Sequence, residues 1–122
     1  MDEKGIENLM IAMIQNAVDE YCHAYMVIHK MRKNPDKFIA QIKKVRTWGK
    51  YGKSISTREA QKIFDEDIKK QKTIMNQSVY FFNSDWYLML CTIEPTVIIK
   101  LMEQKAVDRA KEYDKRKKKK KV

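Results

Sequence analysis

The chain has 122 residues, 43% of them hydrophobic, which suffices for one domain with a sizeable core and is too many for a disordered protein. Its formal net charge is +10, but seven positive charges lie in residues 115–121, so residues 1–114 carry 19 basic and 16 acidic residues, a net of +3. The two cysteines exclude a disulfide framework, and the lack of any run of about 18 apolar residues excludes a membrane span. We therefore expect a single cytosolic helical domain over residues 1–114 and a flexible, lysine-rich tail over 115–122.

The N-terminal segment, residues 3–32, has the pattern of one long helix. Its apolar residues recur at steps of three and four, as a near-heptad stripe of Ile6, Met10, Met13, Ala17, Tyr21, Ala24, Ile28 and Met31. Such a helix spans about 45 Å at 1.5 Å per residue, more than a domain of this size covers by itself. We therefore predict that this oligomerisation helix forms part of the core of an oligomer or pairs with another long helix.

Shorter helices are predicted after this segment, because the chain has only three glycines and two prolines to make turns. Pro35 suits the first turn of a second helix, and the glycine-containing stretch at residues 48–55 predicts a loop or a short hairpin. Ser56 and Glu59 form a capping box that starts a third helix, which we expect to continue to Phe82.

Two more helices are predicted beyond Phe82. Ser84 is a good N-cap for a short helix, and Pro95 suits the first turn of the last helix, whose apolar stripe fades after Val107. The predicted fold class is therefore all-α, with a long N-terminal helix followed by shorter helices around an aromatic motif.

The aromatic motif is the stretch Tyr80-Phe81-Phe82-Asn83-Ser84-Asp85-Trp86-Tyr87. Five aromatic residues in eight cannot all face one core from a helix, so some must lie at an edge. One interpretation is that they are core and interface residues. The other is a base-stacking platform, in which a ring binds the base, an amide binds its edge and an arginine binds phosphate.

Arginine is scarce, since only five of the 26 basic residues are arginines. Where lysine is the usual cation, an arginine suggests planar, bidentate recognition of an anion. Arg109 and Arg58 are therefore candidate anion-binding residues. The alternative for Arg109 is a surface salt bridge with Asp85 or Glu112, which would contribute little to stability.

No catalytic or metal-binding constellation is visible in the sequence. His23 and His29 are six residues apart, so they lie roughly 120° apart around a helix and would not share a face. We therefore expect a protein that is not an enzyme and that needs neither metal nor cofactor.

The stretch from Phe81 to Pro95, with the amphipathic helix after it, resembles small proteins of Firmicutes phages and prophages that read roughly Phe-Phe-x-Ser-Asp-Trp-Phe before an acidic turn. Within that group are the Thoeris anti-defence proteins of the first-described type, which are sponges for immune signals. The resemblance implies binding of glycocyclic ADP-ribose, a cyclic nucleotide made by TIR-domain immune proteins, without its degradation. It also implies action in the host bacterial cytoplasm, dimers or hexamers, and cyclic trinucleotides of CBASS defence as further ligands.

The resemblance assigns two residues directly, with Phe82 as the adenine-stacking ring and Arg109 as the phosphate-binding arginine. Thr92 stands where the family commonly has a longer polar side chain. Asn83 and Trp86 are added because they are close to the motif, and Arg58 because of its charge at a helix start. The predicted ligand is a small molecule rather than a cofactor.

Two alternative functions remain open at this point. The +10 charge and the lysine tail favour a small phage nucleic-acid-binding protein, which would bind polyanions with a steep salt dependence. A helical structural protein of a virion or replication complex, with the aromatic residues at an interface, is the second alternative.

Overall fold

The computed structural model describes residues 3–49 and 55–120, which form five helices: α1 (Glu3–Lys33), α2 (Pro35–Gly49), α3 (Thr57–Phe82), α4 (Asp85–Leu90) and α5 (Pro95–Lys120). No strand occurs in this part of the chain, which confirms the all-α prediction and the long N-terminal helix. The hairpin predicted near residues 48–55 falls mainly on residues 50–54, outside the described residues. Residues 48 and 49 are the end of α2, so this helix continues further than the glycines predicted.

The helix starts follow the capping signals in the sequence. One residue, Asn34, separates α1 from Pro35 at the start of α2. The Asn34 backbone N–H donates to the Lys30 carbonyl of α1 at 3.2 Å, and the Asn34 carbonyl accepts from the Phe38 N–H of α2 at 3.5 Å. The Ser56 hydroxyl accepts from the Glu59 backbone N–H at 3.1 Å. The Ser84 hydroxyl accepts in the same way from the Tyr87 N–H at 3.2 Å. Both serines are thus N-caps that satisfy an otherwise unpaired backbone donor.

The order of contacts along α1 sets the direction of the other two long helices. Ala17 lines a cleft with Ser78 of α3, whereas Met31, four turns later, lines one with Ile63, so α1 and α3 are antiparallel. Helix α5 runs parallel to α1, because Glu103 acts electrostatically on Tyr21 while Asp114, further along α5, contacts His29.

The main core lies where α1, α3, α4 and α5 meet. Its buried residues come from all four helices: Ala17, Tyr21, Cys22, Phe82, Tyr87, Met102 and Ala106. Alanines on α1 and α5 let these two helices approach closely, and the largest fully buried side chains, Tyr87, Phe82 and Met102, fill the space between the helices. The aromatic motif therefore supplies two of the three largest core residues.

The first half of α1 is only partly covered by this core: Ile14 packs against it, and Met13 and Asn16 line a cleft with α3. No described residue before Ala17 is buried, and Ile6, Leu9 and Ile11 are each about half exposed. We call residues 3–16 the α1 arm, which is about 20 Å long at 1.5 Å per residue. In the described part of the chain no helix is long and apolar enough to cross a membrane.

The lysine-rich segment continues α5 as far as Lys120, where the sequence predicted a flexible tail. Arg116 donates a hydrogen bond to Glu112, one turn before it, at 2.8 Å. Pairs with this spacing stabilise a helix slightly, here beyond the point where the apolar stripe of α5 fades. Residues 121 and 122 lie outside the described part, and the flexibility of the segment stays a prediction.

Candidate ligand-binding site

The aromatic motif forms a corner between α3 and α4, with Phe82 at its centre. The Phe82 ring is fully buried. It meets Phe81 edge-to-face at 5.2 Å between ring centroids, and Tyr87 at 5.2 Å with the ring planes 85° apart. In this conformation no face of the Phe82 ring is open to a nucleotide base, so the stacking role that the resemblance implies would need this corner to rearrange.

Hydrogen bonds hold the same corner closed. The Ser84 hydroxyl donates to the Phe81 carbonyl at 2.6 Å while it caps α4. The Tyr87 hydroxyl donates to the Ile93 carbonyl at 3.0 Å and so ties the turn before α5 to α4. Burial, with a smaller effect of Cys91, raises the pKa of Tyr87 far above its ordinary value, so the hydroxyl stays a donor. Phe82, Ser84 and Tyr87 thus have structural roles in the single chain.

Three predicted site residues face outward from this corner. Trp86 is 52% exposed on α4, and Thr92 is exposed in the turn between α4 and α5. Asn83 is the exposed C-cap residue of α3, and its amide donates to the Val79 carbonyl at 3.2 Å. The Asn83 amide is therefore partly engaged by its own helix, whereas the Trp86 indole ring is open to a partner.

Arg109 lies on the exposed surface of α5, near the point where that helix passes Cys22 of α1. No ion pair or hydrogen bond joins its guanidinium to another described residue, so the alternative salt bridge with Asp85 or Glu112 is not formed here. Glu112 instead pairs with Arg116 at 2.8 Å. An arginine with all its donors available is suited to bind a phosphate.

Lys105 is a second cation near Arg109 on α5. It is four residues earlier on α5, and residues four apart lie on the same face of a helix. Burial raises the pKa of the Cys22 thiol, while the charges of Arg109 and then Lys105 act in the opposite direction. Both cations therefore lie close enough to Cys22 to act on it. Lys105 was not among the predicted site residues, although its four-residue spacing from Arg109 predicts that the two side chains share a helix face.

The six predicted residues do not converge in one chain. Arg58 is exposed at the first turn of α3, 24 residues before Phe82, which places it about 36 Å away along the helix. Arg109 is 14 residues into α5, about 21 Å from the turn that holds Thr92. Only Phe82, Asn83, Trp86 and Thr92 share the corner at the end of α3.

A cleft of about 430 Å³ lies at the end of the helices opposite the aromatic corner, and a second set of polar residues surrounds it. The sequence did not predict this cleft. We call it the basic cleft. Its lining comes from the end of α1, the residue that follows it, the start of α2 and the end of α5: Lys30, Lys33, Asn34, Lys37, Phe38, Tyr113, Asp114, Lys117 and Lys118. Lys30 and Lys33 belong to α1 and Lys37 to α2, so no single helical spacing in the sequence indicated that these lysines meet at one cleft.

Asp114 links α1 to α5 at the edge of this cleft. Its carboxylate contacts His29 Nε2 at 3.0 and 3.2 Å and Lys33 Nζ at 2.5 Å. The hydrogen bond from Lys33, followed by that from His29, lowers the pKa of Asp114 below its ordinary value. His29, for which the sequence indicated no metal site, thus joins α1 to α5.

Within the described ranges, no three His, Cys, Asp or Glu side chains are grouped so that they could hold a metal ion. Comparison of the chain with protein-family models, curated protein sequences and solved structures finds no match. The resemblance to anti-defence proteins therefore depends on the short motif and the order of the helices alone.

Proposed function

We propose that this protein binds a small, phosphate-bearing cyclic nucleotide and holds it without degrading it. Following the resemblance, the ligand is glycocyclic ADP-ribose made by TIR-domain immune proteins, and its sequestration in the bacterial cytoplasm blocks Thoeris defence. The observation that supports this proposal is the exposed guanidinium of Arg109, which no described residue pairs.

Charge and geometry around Arg109 fit a dianionic ligand. Cyclic ADP-ribose isomers carry two phosphates, and Arg109 and Lys105 present two cations one helical turn apart beside Cys22. Hydrogen bonds between charged partners contribute about 1.5–3 kcal/mol each, so two of them supply a substantial share of a tight complex.

The base-binding part of the proposed site lies between subunits. The Phe82 ring is inside the core, and Trp86 is the exposed ring of the same motif. Because Arg109 is about 21 Å along α5 from the turn that follows Trp86, one chain does not bring the Trp86 ring and Arg109 together. A pocket that two chains complete together would bring these groups onto one ligand and exclude water from it.

Self-association is part of the same proposal. The α1 arm and the region around α4 and the start of α5 expose large apolar side chains on the single chain: Ile6, Leu9, Ile11, Trp86, Leu88, Met89, Ile93, Val97 and Leu101. Large apolar surfaces of this kind are typical of protein interfaces. Burial of this surface in a dimer or hexamer would stabilise the assembly.

Isothermal titration calorimetry with glycocyclic ADP-ribose tests the proposal on the full chain. We expect binding by the wild type and a loss of about 10- to 100-fold in Arg109→Ala, because one charge-assisted contact is removed. Arg116→Ala is the matched control, since this arginine is on the same helix but is paired with Glu112. A separate titration with a cyclic trinucleotide tests whether the protein also binds this second class of ligand, which the resemblance implies.

Three outcomes would contradict the proposal: no heat with the wild type, an equal loss in Arg109→Ala and Arg116→Ala, or appearance of a hydrolysed product during the titration. Loss of binding in Phe82→Ala is informative only if that variant stays folded at the titration temperature, because its ring is in the core. Thermal unfolding of each variant is therefore measured alongside.

A further inference from the structure

We propose that the basic cleft is a second binding site, for a compact polyphosphate group such as inorganic tripolyphosphate or the phosphate chain of a nucleoside triphosphate. Arg109 is not among the residues that line the cleft, although it lies one turn of α5 before Tyr113. This inference stands whether or not the protein binds a cyclic nucleotide.

Convergence of like charges is the first argument. Five lysines from three helices line the cleft, and Asp114 is the one acid among the lining residues. The Asp114 carboxylate is already engaged by Lys33 and His29. Several ammonium groups held around one space repel one another unless an anion lies between them, so a multiply charged anion would stabilise this arrangement.

Tyr113 holds two of these lysines at the cleft. Lys30 Nζ lies 4.7 Å from the centroid of the Tyr113 ring, and Lys117 Nζ lies 5.3 Å from it, within the range of cation–π contacts. A hydrogen bond from Lys117, with smaller effects of Lys30 and Lys37, also lowers the pKa of the Tyr113 hydroxyl. The ring therefore positions ammonium groups from α1 and α5 before any ligand binds.

The same contacts indicate which part of a ligand the cleft receives. Because lysine ammonium groups lie over the Tyr113 ring, that ring is engaged by cations rather than open to stack on a base. Phe38, half-buried, is the other aromatic residue of the lining. The chemistry that remains is a set of ammonium donors around about 430 Å³, which suits a phosphate chain better than a nucleobase.

A compact ligand fits this cleft better than a long polyanion. Double-stranded DNA spreads its charge along the duplex, at one charge per about 1.7 Å of axis. A triphosphate carries three or more negative charges within a few ångströms, so several of the lysines that line the basic cleft can contact it at the same time. The two sources of this chemistry, inorganic polyphosphate and a nucleoside triphosphate, share the phosphate chain and differ in the base.

The test is calorimetric titration of the full chain with sodium tripolyphosphate and, separately, with ATP, at constant ionic strength. The variant is Lys30→Gln/Lys117→Gln, which removes the two ammonium groups beside Tyr113. The control is Lys100→Gln/Lys111→Gln, which removes the same net charge from exposed positions of α5 outside the cleft. We expect binding by the wild type and the control, and at least a tenfold loss in the cleft variant.

The two ligands distinguish the source of the phosphate. Equal affinity for tripolyphosphate and ATP indicates that the phosphate chain alone is recognised, whereas tighter binding of ATP indicates that the nucleoside adds contacts at Phe38; both support the site. Equal loss in the two lysine variants would overturn it, as would equal binding of sulfate at the same ionic strength. Preferred binding of a DNA duplex, with the same loss in both variants, would mean a nucleic-acid surface instead.

Failure of this site and failure of the proposed function give different results. Arg109→Ala is expected to weaken tripolyphosphate binding less than Lys30→Gln/Lys117→Gln does, because Arg109 is outside the cleft lining although it lies one turn before Tyr113. Lys30→Gln/Lys117→Gln is in turn expected to weaken binding of glycocyclic ADP-ribose less than Arg109→Ala does. A variant that loses both ligands would show that the two sites are one, and would overturn the proposal of a separate site.

Discussion

Phe82 and Trp86 are four residues apart in the sequence and have opposite environments. The Phe82 ring is fully buried between Phe81 and Tyr87, whereas Trp86 is 52% exposed. A buried aromatic ring contributes to folding through its apolar area and its edge-to-face contacts. An exposed indole contributes less to folding and remains available to a ligand or to another chain.

Substitution of these two residues should therefore have unequal effects on stability. We expect Phe82→Ala to lower the free energy of unfolding by about 3–5 kcal/mol, because it leaves a cavity in the core. Trp86→Ala should cost about 1 kcal/mol or less, as substitutions at exposed positions usually do. Urea unfolding followed by circular dichroism measures both values. Equal destabilisation by the two variants would contradict the placement of Phe82 in the core.

The sequence predicted an aromatic motif but could not predict which rings lie inside. Successive helical residues point about 100° apart, so Phe81 and Phe82 cannot share a direction, and the packing partner decides which one is buried. That partner includes Met102 and Ala106 of α5, which are about 20 residues further along the chain. The lack of a described partner for Arg109 could not be predicted either, because Glu112 has an arginine three residues before it and another four residues after it on α5, and it pairs with Arg116.

Among the elements, α1 and α5 are joined at one end through Asp114. The carboxylate is 27% exposed and accepts from both His29 and Lys33 of α1. These contacts lower the pKa of Asp114 below its ordinary value of 3.8. A carboxyl group with a lower pKa in the folded state contributes stability above its unfolded pKa, and this contribution is lost as the pH falls through the folded value.

Replacement of this carboxylate should therefore have a pH-dependent effect. We expect Asp114→Asn to lower the melting temperature at pH 7, and this difference should shrink as the pH falls below 3.8. Asp108→Asn is the control, because the Asp108 carboxylate accepts from Gln104 of its own helix at 2.9 Å. Melting curves from pH 2 to 7 measure the effect, and a difference independent of pH would exclude the ionic contact as its cause.

Most helix boundaries were predictable because they depend on local chemistry. Pro35 and Pro95 begin helices, and Ser56 and Ser84 cap them, as their side chains and the sequence around them indicate. The basic cleft was not predicted, since it requires α1, α2 and α5 to meet at one end. Lysines far apart in the sequence give no local signal that they converge.

Across the whole molecule, charge and apolar surface separate to opposite ends. The apolar surface consists of the α1 arm together with α4 and the start of α5, where several large side chains are about half exposed or more. The basic cleft lies at the other end, next to the lysine-rich end of α5. An apolar end favours association with another chain, whereas the like charges at the opposite end repel one another.

This separation predicts self-association through the apolar end. We expect the wild type to be a dimer or larger by size-exclusion chromatography with light scattering, and Ile6→Glu/Leu9→Glu to shift it towards monomer. The control is Lys69→Glu/Asn76→Glu, which changes two exposed residues of α3 and should leave the assembly intact. A monomeric wild type, or equal dissociation by both double variants, would contradict the proposed interface.

Mass spectrometry of the small molecules that co-purify with the protein tests most directly whether it sequesters glycocyclic ADP-ribose. The full chain is purified from bacteria in which a TIR-domain immune protein is making its signal, and is then denatured to release whatever it holds. We expect intact glycocyclic ADP-ribose from the wild type and a strongly reduced amount from folded Arg109→Ala. Absence of any cyclic nucleotide from the wild type, or recovery of hydrolysed ADP-ribose alone, would contradict the proposed function.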